Sequence, residues 1–321
     1  MESSMVTIRV QRFDPDTDTK PRDQDYELEL PPGITVLKTL NKIRAEQDPT
    51  LAYRSSCGSA ICGSCAMKVN GHAKLACKTQ ASECIKDGVM HVAPIGNTRV
   101  LRDLVVDLEP FWSSVGKVKP YLVPDHREAA PEKERHQTPD QFLLIDPSTT
   151  CILCAACYSD CNVLGVDETF LGPASLAKAH RFIFDSRDAD TDQRMREISE
   201  TTGVWDCTHC GECVTRCPTE SKPLERIEEI RVKAMAEGYH GNAGARHVLG
   251  FRESVGKRGM LNENWLLLRS VGFFNIPGLL SLVPAGIRML LRGKTPPIIP
   301  HSIDKVDEVK KIFARFEELR K

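Results

Sequence analysis

The sequence predicts an α+β chain: a small mixed domain built on a sheet, then a helical domain, then a helical extension. Three observations carry this expectation. β-favouring runs are concentrated before about residue 105, helical periodicity takes over from about residue 139, and twelve of the 13 cysteines fall into three compact groups. A length of 321 residues suits about two domains. The 41% hydrophobic and 27% charged content is ordinary for a globular protein. Such a chain buries a core without disulfide staples, so its cysteines call for another role. The 43 Lys and Arg nearly balance the 44 Asp and Glu, and a net charge of −1 argues against chain-wide binding of nucleic acid.

The elements follow in order. Residues 5–13 (MVTIRVQRF) and 26–31 (YELELP) read as two strands joined by turn-rich DPDTDTKPRD, the pattern of a hairpin. In TVLKTLNKIRAEQ, Val36, Leu37, Leu40 and Ile43 recur at helical spacing. Strand-like AMKV and MHVAP flank the cysteine at 77, and this first domain is expected over residues 1–105. A Pro- and charge-rich passage, PYLVPDHREAAPEKERHQTPD, makes 106–138 a connecting segment. Residues 139–240 turn helical, as in PASLAKAHRFIF and SKPLERIEEIRVKAMAEG, and 241–321 form the extension.

The cysteine groups carry the chemistry. Cys57-x4-Cys62-x2-Cys65 followed by Cys77 has the plant-type [2Fe–2S] spacing. Gly58, Ser59, Ala60, Gly63 and Ser64 are small enough for backbone N–H groups to approach a negative cluster. Zinc would more often use two separated C-x2-C knuckles. Cys151, Cys154, Cys157 and Cys161 repeat the spacing of Cys207, Cys210, Cys213 and Cys217, and Pro218 follows the last. This C-x2-C-x2-C-x3-C run is the bacterial two-cluster pattern, in which the fourth cysteine serves the other cluster. That rule expects one [4Fe–4S] centre on Cys151, Cys154, Cys157 and Cys217. A second would take Cys161, Cys207, Cys210 and Cys213. Cys84 lies outside every set and reads as a buried inert thiol. His209, between Cys207 and Cys210, is either a hydrogen-bond donor to a cluster sulfide or a solvated loop residue. No Ser-His-Asp arrangement, P-loop or G-x-G-x-x-G fingerprint points to catalysis or a nucleotide.

With CGSCAMKVNG, LAC, CILCAAC, GPASLAKAHRFIFDSRD and CVTRCP all in place over residues 5–240, the chain resembles the iron–sulfur subunit of succinate dehydrogenase and fumarate reductase. The resemblance implies a β-grasp plant-type ferredoxin domain followed by an α-helical bacterial two-cluster ferredoxin domain. It implies an electron-transfer role beside a separate FAD-containing flavoprotein, with a quinone-side membrane-associated subunit as acceptor. The [2Fe–2S] centre would sit nearest the flavin and the third centre farthest from it. The commonest members lack a cysteine equivalent to Cys210 and hold [3Fe–4S] there, so Cys210 predicts a second [4Fe–4S] centre of lower potential, with [3Fe–4S] after loss of one iron on oxidation as the alternative. Asn162 and Thr208 stand where those members carry proline and histidine of the quinone edge, and NVLGVDETFLGP lacks their tryptophan. Both departures point to a divergent branch with a heterodisulfide-reductase-like partner, where thiol- or quinol-linked fumarate reductases also lie. A free ferredoxin-type carrier is the alternative of another class.

Beyond residue 240 the chain exceeds the common members. From Arg246 to Lys294 the basic residues Arg246, Arg252, Lys257, Arg258, Arg269, Arg288, Arg292 and Lys294 face only Glu253 and Glu263. The uncharged run Ser270 to Ile287 contains Asn275, Pro277 and Pro284, which speak against a spanning helix and leave partner docking, membrane-surface docking or core packing. In the last segment Ser302 reads as an N-cap, before Ile303, Val306, Val309, Phe313, Phe316 and Leu319 at helical spacing. The first thirty residues show no export signal, which suggests a peripheral place at the cytoplasmic face, with co-export bound to a signal-bearing partner left open.

Overall fold

The computed structural model describes residues 5–125, 127, 131–200, 202–297 and 300–319. The first domain forms strands β1 (Met5–Arg12) and β2 (Arg22–Glu29), helix α1 (Val36–Glu46), then β3 (Ala66–Val69), β4 (His72–Leu75) and β5 (Val89–Ala93). The sheet order is β2-β1-β5-β3-β4. β1 and β5 run parallel while the other pairings are antiparallel. α1 starts because the Thr35 hydroxyl accepts from the Lys38 N–H. Its Val36, Leu37, Leu40 and Ile43 join Val6, Ile8, Val10, Met67, Val69, Met90 and Val92 in one core. A helix packed on a mixed sheet in this order is the expected β-grasp arrangement. The hairpin register places Val6, Ile8 and Val10 on one buried face, as period-two alternation requires.

A buried charge fastens the end of this domain to its start. The Arg12 guanidinium donates to Asp103 at 2.8 Å, to the Tyr26 hydroxyl at 2.5 Å and to Asp48. Asp103 also accepts from the N–H groups of Phe13 and Ala52, so its lone pairs are satisfied out of water. Burial disfavours the Arg12 cation, yet its hydrogen bonds to Asp103 and Asp48 outweigh this and hold its pKa above the ordinary value.

Strands β6 (Val100–Arg102) and β7 (Val105–Val106) lead into α2 (Glu109–Lys117). The stretch read from sequence as a connection thus opens as a helix whose Phe111 is fully buried and meets Tyr158 edge-to-face at 5.5 Å. Short helices α3 (Pro139–Leu143), α4 (Asp146–Thr149) and α5 (Ala156–Ser159) precede the longer α6 (Gly172–Ile183) and α7 (Thr191–Ser199). Then come α8 (Glu212–Thr215) and α9 (Pro223–Ala236). Arg194 on α7 is 2% exposed and joins the connection to the helical part. It donates to the carbonyls of Val118, Lys119 and Tyr121 at 2.7–2.9 Å and pairs with the buried Asp188 at 3.0 Å.

A second compact unit comprises 199–201 and 233–321, and it is described by itself. It contains α10 (Ala243–Arg258), α11 (Glu263–Val271), α12 (Ile276–Leu291) and α13 (Val306–Leu319). α10 packs on α11 and α13. The N-cap expected at Ser302 is not formed. Ile303 instead donates its N–H to the Arg258 carbonyl and sets its side chain over Gly259, so the helix begins later, at Val306. No helix among the described residues is long and apolar enough to cross a membrane.

Arg194→Ala leaves the buried Asp188 with its N–H donors from Val123 and Asp190 but without its cation, and takes a donor from the carbonyls of Val118, Lys119 and Tyr121. It is expected to destabilise the protein by about 3–5 kcal/mol, read from denaturant unfolding of the cluster-loaded chain.

A candidate three-centre cysteine site

The first cysteine loop lies at the surface between α1 and β3. Cys57 and Cys62 are exposed while Cys65 and Cys77 turn inward. Gly58, Ala60 and Gly63 have left-handed backbone, at φ of 66°, 60° and 74°. That path aims N–H groups at sulfur. Ser59, Ile61 and Cys62 donate to Cys57 Sγ at 3.3–3.4 Å, and Ala60 donates to Cys77 Sγ at 3.3 Å. These donors bring the Cys57 thiol down to about 6. The Ser64 hydroxyl, first among several donors, lowers Cys62. Burial pushes Cys65 up to about 12.

The two later runs repeat one another in backbone as well as in spacing. Leu153 and His209 precede the second cysteine of each run and have φ of 54° and 58°. Ala155 and Gly211 follow it, at 62° and 80°. Left-handed backbone at Leu153, Ala155 and His209 costs about 1–2 kcal/mol per residue and persists where the surroundings demand it. Here it wraps each loop around a common centre.

The thiols group across the runs. Cys217 faces Cys151, Cys154 and Cys157, and charge on any of them disfavours charge on the rest. These four line one cavity with Ala155, Ala174 and Pro223. Cys161 sits among Cys207, Cys210 and Cys213 in the same sense. The two sets approach one another at Cys157 and Cys213. Burial pushes Cys154 up to about 11 and Cys213 up to about 12, and holds Cys151, Cys157, Cys161 and Cys207 above the ordinary thiol. For Cys217 burial acts the same way, but donors from Ser221 and Thr219 outweigh it and lower the pKa.

The donor set fits iron–sulfur centres. Soft sulfurs gathered in fours, mostly buried and costly to ionise alone, become thiolates when a bound metal supplies positive charge. Among the described residues no three His, Cys, Asp or Glu side chains are drawn together as for a single metal ion.

Contacts also join the first loop to the second set. A Cβ at Gly63 would lie 2.9 Å from both Cα and Cβ of Cys154, so the two loops pass in direct contact. Lys78 reaches from beside Cys77 to the Pro218 carbonyl at 2.9 Å. Several positioning residues escaped the sequence reading. The Asn97 amide donates to the carbonyls of Tyr158, Ser159 and Cys161. Asp160 accepts from the Ala73 N–H and pairs with Arg216 at 3.0 Å. Arg231 contacts His209 and donates to the Cys207 carbonyl, and His209 is exposed to solvent on its loop while also meeting this arginine. The carboxylate inside SDC, beside Cys161, was the one available signal. Cys84 is buried in the first-domain core, and burial raises its pKa.

Residues 7–113 match the model of a 2Fe-2S iron-sulfur cluster binding domain, and residues 147–221 match that of a 4Fe-4S dicluster domain. Fold and thiols together define an iron–sulfur electron-transfer protein. The succinate dehydrogenase iron-sulfur subunit of Coxiella burnetii is 38% identical over 239 residues, covering 74% of this chain and 100% of that one. The 8-methylmenaquinol:fumarate reductase iron-sulfur subunit of Wolinella succinogenes is 36% identical over 272 residues, 82% of this chain and 83% of that one. The chain therefore belongs to the iron–sulfur subunit family of succinate dehydrogenases and fumarate reductases. Among solved structures it is similar to a chain of the Mycobacterium smegmatis Sdh1 complex in the apo form, with a TM-score of 0.68 and 25% identity over 75% of this chain and 99% of that one.

Gly63→Ala adds a methyl group against Cys154 and strains a left-handed position. It is expected to cost about 1–3 kcal/mol in thermal unfolding of the loaded protein. Cys84→Ala, in contrast, is expected to cost about 1 kcal/mol and leave the iron content unchanged by elemental analysis.

Proposed function

We propose that this chain relays electrons, one at a time, between an FAD-containing flavoprotein subunit and a quinone-side, membrane-associated subunit in a succinate:quinone oxidoreductase or fumarate reductase complex. Cys57, Cys62, Cys65 and Cys77 hold [2Fe–2S]. Cys151, Cys154, Cys157 and Cys217 hold one [4Fe–4S], and Cys161, Cys207, Cys210 and Cys213 hold the other. Bound clusters supply reversible one-electron redox chemistry, and the chain performs no acid–base step on substrate. Its own residues position and tune: N–H groups around Cys57 favour the reduced, more negative state, while low-polarity surroundings at Cys157 oppose added charge.

The observation that carries this reading is the interleaving of the two later runs together with the contact of Gly63 on Cys154, which makes the three thiol sets neighbours in sequence order. The exposed Cys57 loop at one end and exposed Cys210 at the other suit entry and exit of electrons. A quinol-linked fumarate reductase of the divergent branch, with a heterodisulfide-reductase-like partner, is the second reading. It is favoured by Cys210, and by the Wolinella relative, whose alignment covers more of this chain than that of the Coxiella subunit. A peripheral place at the cytoplasmic membrane face suits a membrane-associated partner, with the periplasm as the alternative.

Anaerobically purified protein should contain about ten irons and about ten acid-labile sulfides per chain. Cys210→Ala should convert the third centre to [3Fe–4S], giving an oxidised-state EPR signal absent from the parent protein. Zinc in place of iron, or that signal in the parent, overturns the assignment.

A further inference from the structure

The segment from Asn264 to Ile303 contains no Asp or Glu, yet it carries Arg269, Arg288, Arg292 and Lys294. Arg269 is paired with Glu253 at 3.3 Å, whereas the other three meet no carboxylate among the described residues. Within this segment α12 keeps Gly278, Leu279, Leu282 and Ala285 partly covered, and none of its residues is buried. Elsewhere on its surface Ile276, Leu280, Val283, Ile287 and Leu290 are exposed by 65%, 62%, 49%, 53% and 67%. They recur every three or four residues and so form one continuous stripe. Phe273 and Phe274 extend it at the turn before the helix, and Phe274 is 97% exposed. Arg288 lies beside the C-terminal end of that stripe, Arg292 is the residue that ends the helix, and Lys294 follows it.

An apolar stripe this continuous is not left to water, and what covers it must also meet three unpaired cations. α12 has 16 residues, and at 1.5 Å per residue it spans about 24 Å, less than the roughly 30 Å of a hydrocarbon core. A helix too short to span, with an exposed apolar stripe and cations at its C-terminal end, suits the plane of a membrane surface. A bilayer containing anionic lipid offers both the apolar depth and the negative charge in one face. A protein partner would have to supply an apolar groove and a matching set of carboxylates.

We propose that α12 is an in-plane membrane helix, seating the stripe from Ile276 to Leu290 in the headgroup boundary of anionic lipid with Arg288, Arg292 and Lys294 against the phosphates. The inference rests on residues 264–303 alone and is independent of the cluster assignments.

The test is flotation of the full, cluster-loaded chain with phosphatidylcholine vesicles, with and without phosphatidylglycerol. The protein is expected to float with the anionic vesicles and at least about tenfold less with the neutral ones. Leu280→Glu combined with Ile287→Glu should abolish flotation while the visible cluster absorbance stays unchanged. Arg288→Glu, Arg292→Glu and Lys294→Glu together, all on exposed side chains, should remove the preference for phosphatidylglycerol. Three results overturn the proposal: parent protein that floats with neither vesicle, flotation of the Leu280/Ile287 variant like the parent, or an anionic preference that survives the charge reversals. Cluster absorbance is read in every fraction, so a failure of lipid binding is distinct from a failure of the electron-transfer reading.

Discussion

Gathering four thiols in a buried space is electrostatically costly, because each ionised sulfur raises the price of ionising the next. Cys157 and Cys213 show that opposition most clearly, since burial and their neighbours both push their pKa upward. The arrangement makes sense only with compensating positive charge at the centre of each set. Much of the surrounding architecture serves that end. Left-handed turns at Leu153, Ala155 and His209 direct backbone around the sulfurs, and Ser221 and Thr219 relieve Cys217. Where the chain needs exposure instead, at the Cys57 loop, N–H groups of the loop itself replace the missing surroundings.

The folded scaffold divides its labour accordingly. The β-grasp sheet and α1 form a rigid core that holds one thiol set at its rim, with the Arg12–Asp103 pair closing the domain. α5, α6 and the two loops form the setting for the others. Between them, contacts are made by backbone as much as by side chains: Gly63 on Cys154, Lys78 on the Pro218 carbonyl, Asn97 on three carbonyls around Cys161. Short separation between redox centres depends on such close backbone approach, and a side chain at Gly63 would widen it.

What the sequence made legible was whatever is local or periodic. The hairpin, α1 and the crossed cysteine spacing could be read from residue order, since alternation, helical recurrence and ligand spacing are short-range properties. Phe111 on α2 was not legible, because its burial depends on Tyr158, a residue from the other part of the chain. Arg194 looked like one more charge on a polar helix, and only the fold brings it to the carbonyls of 118, 119 and 121. Ser302 was misread as a cap for a related reason: a long-range hydrogen bond from Ile303 to Arg258 and a contact over Gly259 decide where α13 begins. His209 is exposed, as its solvated-loop reading had it, and the Arg231 contact beside it was not legible because it comes from a distant helix.

The exchange of one cysteine between the two later runs has a consequence for biosynthesis. A nascent chain that has emerged only as far as Cys161 holds four thiols of one run, but in the folded chain three lie beside Cys217 and the fourth beside Cys207, Cys210 and Cys213. Neither quartet is complete before residue 213 has been translated. On the proposed ligand sets the helical part therefore matures as a unit, and its metal is delivered only after Cys213 and Cys217 have been made rather than run by run.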